Sequence, residues 1–202
     1  MEKAREAQSR LLQSQMSPHV LFNALNGFAE LIHKDPAAAE GSVRSLAHLL
    51  RQLLTFAEFK VITLQEERAL VEDYLHLEGL RLGSRLSSIW QWEERLQSRL
   101  VPPLLIQPLV ENAIKHGIAP VKQGGILRIS IREEAGSLLL EVANTGSSLG
   151  VKDGTRPGLG LGLRNLKDRL ALAFGPDASF GLAEREGWTI ATISLPGDKI
   201  AP

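Results

Sequence analysis

The stretch from Pro108 to Gly117 contains four polar side chains of types that can bind a metal-bound phosphate. They are a carboxylate, an amide, an ammonium and an imidazole, on Glu111, Asn112, Lys115 and His116. Apolar residues between them recur at the spacing of a helix that packs one face on a core. The carboxylate and the ammonium are four residues apart, as are the amide and the imidazole, so each pair shares a helix edge. This set suits a magnesium-bound polyphosphate, and a surface helix with one ion pair is the simpler alternative.

A glycine-rich segment, Gly158 to Leu163, runs directly into an apolar-periodic helix that extends to Phe174. Glycine lets backbone amides approach phosphate oxygens, and the N-terminus of the following helix adds the positive end of its dipole. Between Asn112 and this segment, a strand ends in the polar turn Asn144-Thr145-Gly146. Glycine repeats also serve as flexible hinges, so the segment alone leaves both interpretations open.

The N-terminal residues, Met1 to about Lys34, have the apolar spacings of a coiled coil or helical bundle. A polar stripe beside that seam includes His19 and, four residues later, Asn23. Pro18 removes a backbone hydrogen bond and is expected to kink the helix next to His19. The kink is either incidental or a means of presenting the imidazole, which Asn23, four residues later on the same face, could orient. The alternatives are an ordinary interfacial histidine and an asparagine that sets the register of the bundle.

A second helix is predicted from Asp35-Pro36, a cap followed by proline at the first helical position, to about Phe59. Its apolar stripe is too wide for one helical hairpin to bury. Two hairpins in a four-helix bundle would bury it, which predicts a homodimer. Packing of the hairpin on the domain that follows is the alternative. The chain is thus divided into residues 1–60, for dimerisation, and residues 61–202.

Residues 61–202 combine helices and strands. Thr63 to Glu66 is a capping box that starts a helix to about Leu82, with Gly83 as its C-cap. Strands are predicted at 88–93, 126–132 and 137–143, followed by a helix at 161–174 and a hairpin of strands 179–184 and 188–195 that turns at Glu186-Gly187. The expected fold is α+β: a helical hairpin, then an α/β sandwich with a mixed sheet and helices on one face.

Composition argues against several classes of function. Lys plus Arg and Asp plus Glu number 23 each, so nothing favours nucleic acid or an anionic membrane as a partner. The chain has no cysteine, which excludes disulfides and thiolate metal sites. No apolar run approaches the ~20 residues that a membrane helix needs, and the charged N-terminus is unlike a signal peptide. We expect a cytoplasmic protein.

In order along the chain, the Asn112 helix, the Asn144 turn and the Gly158 segment resemble the N box and two glycine boxes of the Bergerat-fold ATPases. That superfamily includes gyrase, a heat-shock chaperone, MutL and the histidine kinases. Residues 17–26, SPHVLFNALN, resemble the phosphoacceptor helix of LytS-like sensor histidine kinases. Segments 63–67, 74–78 and 102–117 are similar to the same family, so the resemblance extends from about Gln13 to Pro196.

The resemblance implies a homodimeric kinase that uses ATP and Mg2+ to phosphorylate its own His19 and then passes the phosphoryl group to a response-regulator aspartate. Catalytic roles fall on His19, Asn23 and Glu111, and Asn112 is the implied magnesium ligand. The implied nucleotide-binding residues are Asn112, Lys115, His116, Asn144, Gly146, Gly158, Gly160, Gly162, Leu163 and Thr192. Within that set, Gly146 and Thr192 adjoin the adenine, and the glycines from 158 to 162 are the hinge of a lid formed by residues 144–160.

Two positions depart from the family's pattern. Asn144 stands where histidine kinases usually have an aspartate that reads adenine; its amide oxygen still accepts a hydrogen bond, but a weaker one than a carboxylate would. Val20 follows His19 where many kinases of other classes have an acidic residue, which leaves the base unassigned.

Any membrane connection would run through a sensor region that this chain lacks, and sensing by a partner is the alternative.

Two other functions stay open. One is a non-catalytic dimeric scaffold, a degenerate kinase whose bundle binds a partner, with Asn144 as a sign of decay. The other is a Bergerat ATPase that hydrolyses ATP to drive a conformational change, against which the acceptor-like helix counts. Binding of ATP separates the kinase from the scaffold.

Overall fold

The structure, a computed structural model, describes residues 36–56, 59–146 and 160–197. Its helices are α1 (Pro36–Phe56), α2 (Leu64–Leu82), α3 (Gln107–Asn112), which continues as a π-helical turn (Ala113–Ile118), and α4 (Leu161–Phe174). Its strands are β1 (Ile62–Thr63), β2 (Leu86–Trp92), β3 (Leu100–Val101), β4 (Gly125–Glu134), β5 (Ser137–Asn144), β6 (Ser179–Arg185) and β7 (Trp188–Pro196). The predicted helix of residues 1–34, with His19 and Asn23, lies outside the described residues.

Five strands form one mixed sheet, in the order β2-β4-β5-β7-β6. β2 runs parallel to β4, and the other neighbours are antiparallel. β1 and β3 make a separate two-stranded antiparallel pair. The α+β class and the mixed sheet that the sequence predicted are therefore confirmed.

One face of the sheet holds the core. Alternate residues of β4, β5 and β7 are buried in a single apolar cluster, which they share with residues of α2, α3 and α4. The intervening residues of the same strands are more polar, among them Arg128, Glu141 and Thr192. This alternation places the helices on one face of the sheet.

Local signals predicted most element boundaries correctly. The N–H of Glu66 donates to Thr63 Oγ1 at 3.2 Å and the N–H of Thr63 donates to Glu66 Oε2 at 2.7 Å, which is the predicted capping box. The β6–β7 hairpin turns at Glu186 and Gly187, whose φ angles are 51° and 79°, as expected for a tight two-residue turn.

The helix α1 packs on the domain that follows it. Leu46 and Phe56 are buried in the same cluster as the sheet, and Leu50 packs against that cluster. His48 Nδ1 also lies 2.5 Å from Asp73 Oδ2 on α2. This is the alternative contact that the sequence left open for the second helix. The division at residue 60 and the four-helix bundle remain predictions, since the first helix lies outside the described part.

Within the three described ranges, no helix combines the length and hydropathy that crossing a membrane requires.

Candidate nucleotide site

The helix predicted around Asn112 is present, and it buries the apolar face that the sequence indicated. Pro108 lies in its first turn, where a missing N–H costs no helical hydrogen bond. The buried side chains, none more than 4% exposed, are Leu109, Val110, Ala113, Ile114 and Ile118. The other side presents two half-buried polar residues, Glu111 and Asn112, and two exposed ones, Lys115 and His116.

The second half of this helix is π-helical, where the sequence predicted a regular α-helix. The N–H of Ala119 donates to the carbonyl of Ile114, five residues earlier, at 2.8 Å. Such turns are rare and occur frequently at functional sites. Glu111 and Lys115, both within the described part, form no salt bridge. The simple surface ion pair that was the alternative interpretation is therefore absent.

Two of the polar groups on this helix have shifted pKa values. Burial raises the pKa of the Glu111 carboxyl above its ordinary value; the Lys115 ammonium opposes that shift and the Glu78 carboxylate adds to it. Burial also lowers the pKa of the His116 imidazole, and the positive charge of Lys115 lowers it further. Both shifts favour the neutral form. Shifts with identifiable causes, grouped on one helix, are typical of a functional site.

The Asn144 turn packs directly on the end of this helix at Gly117. A Cβ on Gly117 would lie 2.0 Å from Asn144 Nδ2 and 2.7 Å from Asn144 Cγ. No side chain fits in that space, so a residue without Cβ is required for this contact. Asn144 is only 3% exposed, and its Nδ2 donates to the carbonyl of Thr145 at 3.1 Å. The structure therefore brings the predicted adenine-reading residue against the predicted phosphate-binding helix.

Gly146, two residues after the end of β5, packs against the same end of the Asn112 helix. Its φ is 115°, and a Cβ there would lie 2.4 Å from the carbonyl oxygen of Gly117, so both backbone conformation and space favour glycine. Thr145 between them fixes the turn, since its Oγ1 accepts from the N–H of Ile126 at 2.8 Å and its N–H donates to the Ile126 carbonyl at 3.0 Å. Gly146 thus lies against the end of the Asn112 helix, and its place in an adenine pocket stays a prediction.

Thr192 does not share a face with Asn144. The β5–β7 register pairs Asn144 with Thr189 and Glu141 with Thr192, and directly paired residues point to the same face. Thr189, which is 8% exposed, is therefore the β7 threonine beside Asn144, and the expectation for Thr192 is corrected. The sequence missed Thr189 because two threonines three residues apart lie on opposite faces, and only the register tells which face is which.

The glycine-rich segment ends at the N-terminus of α4. Gly160 is the N-cap residue, has no side-chain cap, and accepts a hydrogen bond at its carbonyl from the N–H of Arg164 at 3.0 Å. Gly162 is exposed and a Cβ there would meet nothing within 4 Å. The uncapped amides of this first turn are suited to an anion.

The side chain of Leu163 packs in the core, so a nucleotide contact at this residue would use its backbone N–H and stays a prediction. Its side chain is 2% exposed and lies in the hydrophobic cluster, so the residue anchors α4 to the core. Gly158, like residues 147–159 as a whole, lies outside the described residues.

The donor set fits a magnesium ion that is held mainly by phosphates. In the described part of the chain no group of three or more His, Cys, Asp or Glu side chains converges as a metal site. Asn112 offers one amide oxygen, with the Glu111 carboxylate next to it, both half-buried. Mg2+ is usually bound through one or two protein oxygens, water and substrate phosphates, so the Asn112 oxygen alone is compatible with that mode.

The family model and two curated relatives that match this chain are named as histidine kinases. A family model described as "Histidine kinase" matches residues 7–86. The sensor histidine kinase YpdA of Escherichia coli K12 is 36% identical over 180 residues, which are 86% of this chain and 32% of YpdA. The sensor histidine kinase/phosphatase LytS of Staphylococcus aureus is 32% identical over 206 residues, or 96% of this chain and 35% of LytS. The chain thus spans about a third of the length of the curated relatives it matches.

A solved structure supports the fold. The histidine kinase domain of the blue-light activated histidine kinase EL346 from Erythrobacter litoralis superposes with a TM-score of 0.55 at 16% identity, covering 89% of this chain and 94% of that one. At this identity the similarity concerns the fold alone.

Proposed function

This chain belongs to the LytS-like sensor histidine kinases, and on that premise we propose that it phosphorylates its own His19 from ATP and passes the phosphoryl group to a response-regulator aspartate. The observation that supports this most is the packing of the Asn144 turn on the Asn112 helix at Gly117. Two segments that are distant in the sequence, each with groups suited to a nucleotide, meet at a contact that only glycine permits.

In this proposal the adenine lies beside Asn144 and Thr189. Asn144 Nδ2 is used in the bond to the Thr145 carbonyl, so Oδ1 is the atom left to accept from the adenine amino group. The neutral amide makes a weaker bond than the usual carboxylate, and Thr189, its buried cross-strand partner, adds a hydroxyl on the same face.

The phosphates lie between the Asn112 helix and the first turn of α4. In this proposal Asn112 binds the cation, the exposed Lys115 binds the phosphates, and the uncapped amides after Gly160 are further donors. Magnesium, when bound, supplies neutralisation of the phosphate charge. His116, whose pKa burial lowers, contributes a neutral imidazole at the same edge.

The chemical step is nucleophilic attack by His19. A neutral imidazole nitrogen is available at neutral pH because its ordinary pKa is about 6.5. The N–P bond forms as the bond from the γ-phosphorus to the oxygen that leaves with ADP breaks, and the proton on the other ring nitrogen passes to solvent water. The work of the protein is mainly positioning and charge neutralisation of a loose transition state. Asn23, four residues from His19 in the sequence, is proposed to orient the ring, and Glu111 to be the polar neighbour of the metal ligand.

The proposal extends to the assembly. A homodimer formed through residues 1–60 accounts for the wide apolar stripe of the second helix, on which Val43 is 52% exposed. The receiver domain of a response regulator is the second partner. We place the kinase on the cytoplasmic side of a membrane, with any membrane sensor region lying outside this chain.

Labelling with γ-labelled ATP and magnesium tests the proposed function. A phosphoramidate is labile in acid and stable in base, so the protein should acquire label with that pattern, and chelation of magnesium should prevent it. Absence of label and of ATP hydrolysis would support the scaffold, most strongly if ATP does not bind either, whereas phosphate release without label would support a hydrolase. Either result would contradict the kinase.

The proposed lid has its own test. If residues 144–160 close over the nucleotide, their amides should exchange hydrogen more slowly when an ATP analogue is added, because a segment with little to bury is protected mainly by its ligand. Equal exchange with and without the analogue would remove the lid from the proposal.

A further inference from the structure

Glu67 on α2 is a fully buried carboxylate that the proposed chemistry does not use. Its side chain accepts hydrogen bonds from three consecutive backbone N–H groups, those of Leu104, Leu105 and Ile106. The bonds from Leu105 and Ile106 to Oε2 measure 3.2 and 3.0 Å. A buried charge is tolerated only where such partners compensate its lost hydration.

These three amides directly precede α3, the helix that carries Glu111 and Asn112. Ile106 is the N-cap residue of α3 and provides no side-chain cap, and Pro108 in the first turn has no N–H. The carboxylate of Glu67 thus ties down the three amides that immediately precede α3, with its charge near the positive end of the α3 dipole. It also holds Leu104 in a left-handed conformation, with φ of 61°, which non-glycine residues adopt only where surrounding contacts impose it.

Arg169 on α4 holds the same segment from the other side. Its guanidinium donates to the carbonyl of Pro103. Burial raises the pKa of Glu67, and the backbone hydrogen bonds from residues 104–106, followed by the smaller effect of the Arg169 charge, oppose that rise. Burial likewise lowers the pKa of Arg169, and the charge of Glu67 opposes that shift. The two described side chains form no direct salt bridge; residues 103–106 lie in the hydrogen-bonded path between them.

We propose that Glu67 and Arg169 are a positioning pair that sets the place of the α3 helix relative to the N-terminus of α4, and thereby aligns the two halves of the phosphate site. This rests on the proposed function, because that function assigns Asn112 and the first turn of α4 to the nucleotide. Asn112 follows Ile106 by six residues on one helix, or about 9 Å at 1.5 Å per residue. Any shift of residues 103–106 therefore moves Asn112 with the helix.

The amide variant Glu67→Gln is the direct test, because it keeps the shape, removes the charge and replaces one of the two accepting oxygens by a donor. Thr63→Ala is the matched control, since it removes the N-cap of the same helix α2 without touching residues 103–106. We expect Glu67→Gln to lower the rate of autophosphorylation at saturating ATP at least tenfold, since misplacement of about 1 Å can cost on the order of 100-fold. Thr63→Ala should keep that rate within about twofold, even at a comparable loss of melting temperature. Equal rates in the two variants would overturn the proposal.

Hydrogen exchange without nucleotide gives a second readout that does not depend on activity. Glu67→Gln should speed exchange of amides throughout 109–118, because the whole helix loses its anchor, whereas Thr63→Ala should affect only residues 64–66, the first-turn amides of α2. A change confined to residues 104–106 would overturn the positioning role. If the unaltered protein binds no nucleotide, the proposed function fails, while the exchange result still decides whether the pair positions the helix.

Arg169→Lys and a double variant complete the test, and also serve if Glu67→Gln does not fold. Lysine keeps the charge but lacks the planar fork of the guanidinium, so Arg169→Lys should slow the rate and speed exchange over residues 109–118 in the same direction. The double variant Glu67→Gln/Arg169→Lys should lose less autophosphorylation rate than the product of the two single fold-losses, as expected for residues that act together. Full additivity would show that the two residues act separately.

Discussion

Gly117 and Asn144 approach so closely that a Cβ on the glycine would lie 2.0 Å from Nδ2 of the asparagine. This contact joins the helix of Asn112 to the end of β5, and the polar groups of both segments line the proposed nucleotide site. The site therefore depends on a backbone position with no side chain, as well as on the polar residues themselves.

Gly117→Ala should damage both stability and nucleotide binding. The added methyl group must displace Asn144, and overpacking of this kind costs about 1–3 kcal/mol of unfolding free energy. The control is Gly79→Ala on α2, where a Cβ would meet nothing within 4 Å and a gain of about 0.5–1 kcal/mol is expected. Denaturant unfolding and ATP titration measure the two effects, and unchanged affinity in the Gly117→Ala variant would show that Asn144 is not an adenine ligand.

Asn112→Ala should separate binding from folding. The apolar face of α3 is provided by other residues, so without nucleotide the variant should unfold within about ±0.5 kcal/mol of the parent. The additional stabilisation by ATP that depends on magnesium should disappear. Thermal unfolding with ATP, in magnesium and in chelator, measures this, and retention of the magnesium-dependent shift would remove Asn112 as a metal ligand.

Glu111→Gln should stabilise the protein more at neutral than at acidic pH. Burial raises the folded-state pKa of Glu111, so the folded protein binds this proton more tightly than the unfolded chain does. The stability gained from that proton is complete below the ordinary pKa of 4.5 and is lost as the pH rises through the raised pKa. The melting-temperature difference between variant and parent should therefore grow in favour of glutamine from pH 4 to pH 7. A flat or reversed profile would contradict the burial effect.

Leu46→Ala should lower the unfolding free energy by about 2–5 kcal/mol, the usual cost of a large-to-small change in a core. Leu46 is 7% exposed and lies in the same hydrophobic cluster as the buried face of the five-stranded sheet. The matched variant is Val43→Ala on the same helix, at a position that is 52% exposed, where a change within about 0.5 kcal/mol is expected for the monomer. Equal effects would show that α1 does not pack on the sheet domain in solution.

Elements with local signals were predictable from the sequence. The capping box at Thr63, the helix that ends at Phe174 and the turn at Glu186 depend on residues that are neighbours in the chain, and the structure has all three. Their physical causes, capping, helical periodicity and turn conformation, operate over a few residues.

Long-range contacts were not predictable. The sequence identified Glu66 as a cap, but the neighbouring Glu67 has partners 37 to 39 residues away. The choice of Thr189 over Thr192 likewise follows from the pairing of β5 with β7. The π-helical turn after Asn112 has no local sequence signal that distinguishes it from a regular helix.

The most direct test of the proposed kinase is the location of the label acquired from γ-labelled ATP. We would compare the unaltered protein, His19→Gln and the control His33→Gln at equal ATP occupancy. Both substituted histidines precede the residues of the proposed nucleotide site in the chain, so neither change is expected to alter ATP binding. We predict acid-labile, base-stable label on the unaltered protein and on His33→Gln, and none on His19→Gln, with ATP binding intact in all three. Acid-labile label that persists in His19→Gln would contradict the central assignment.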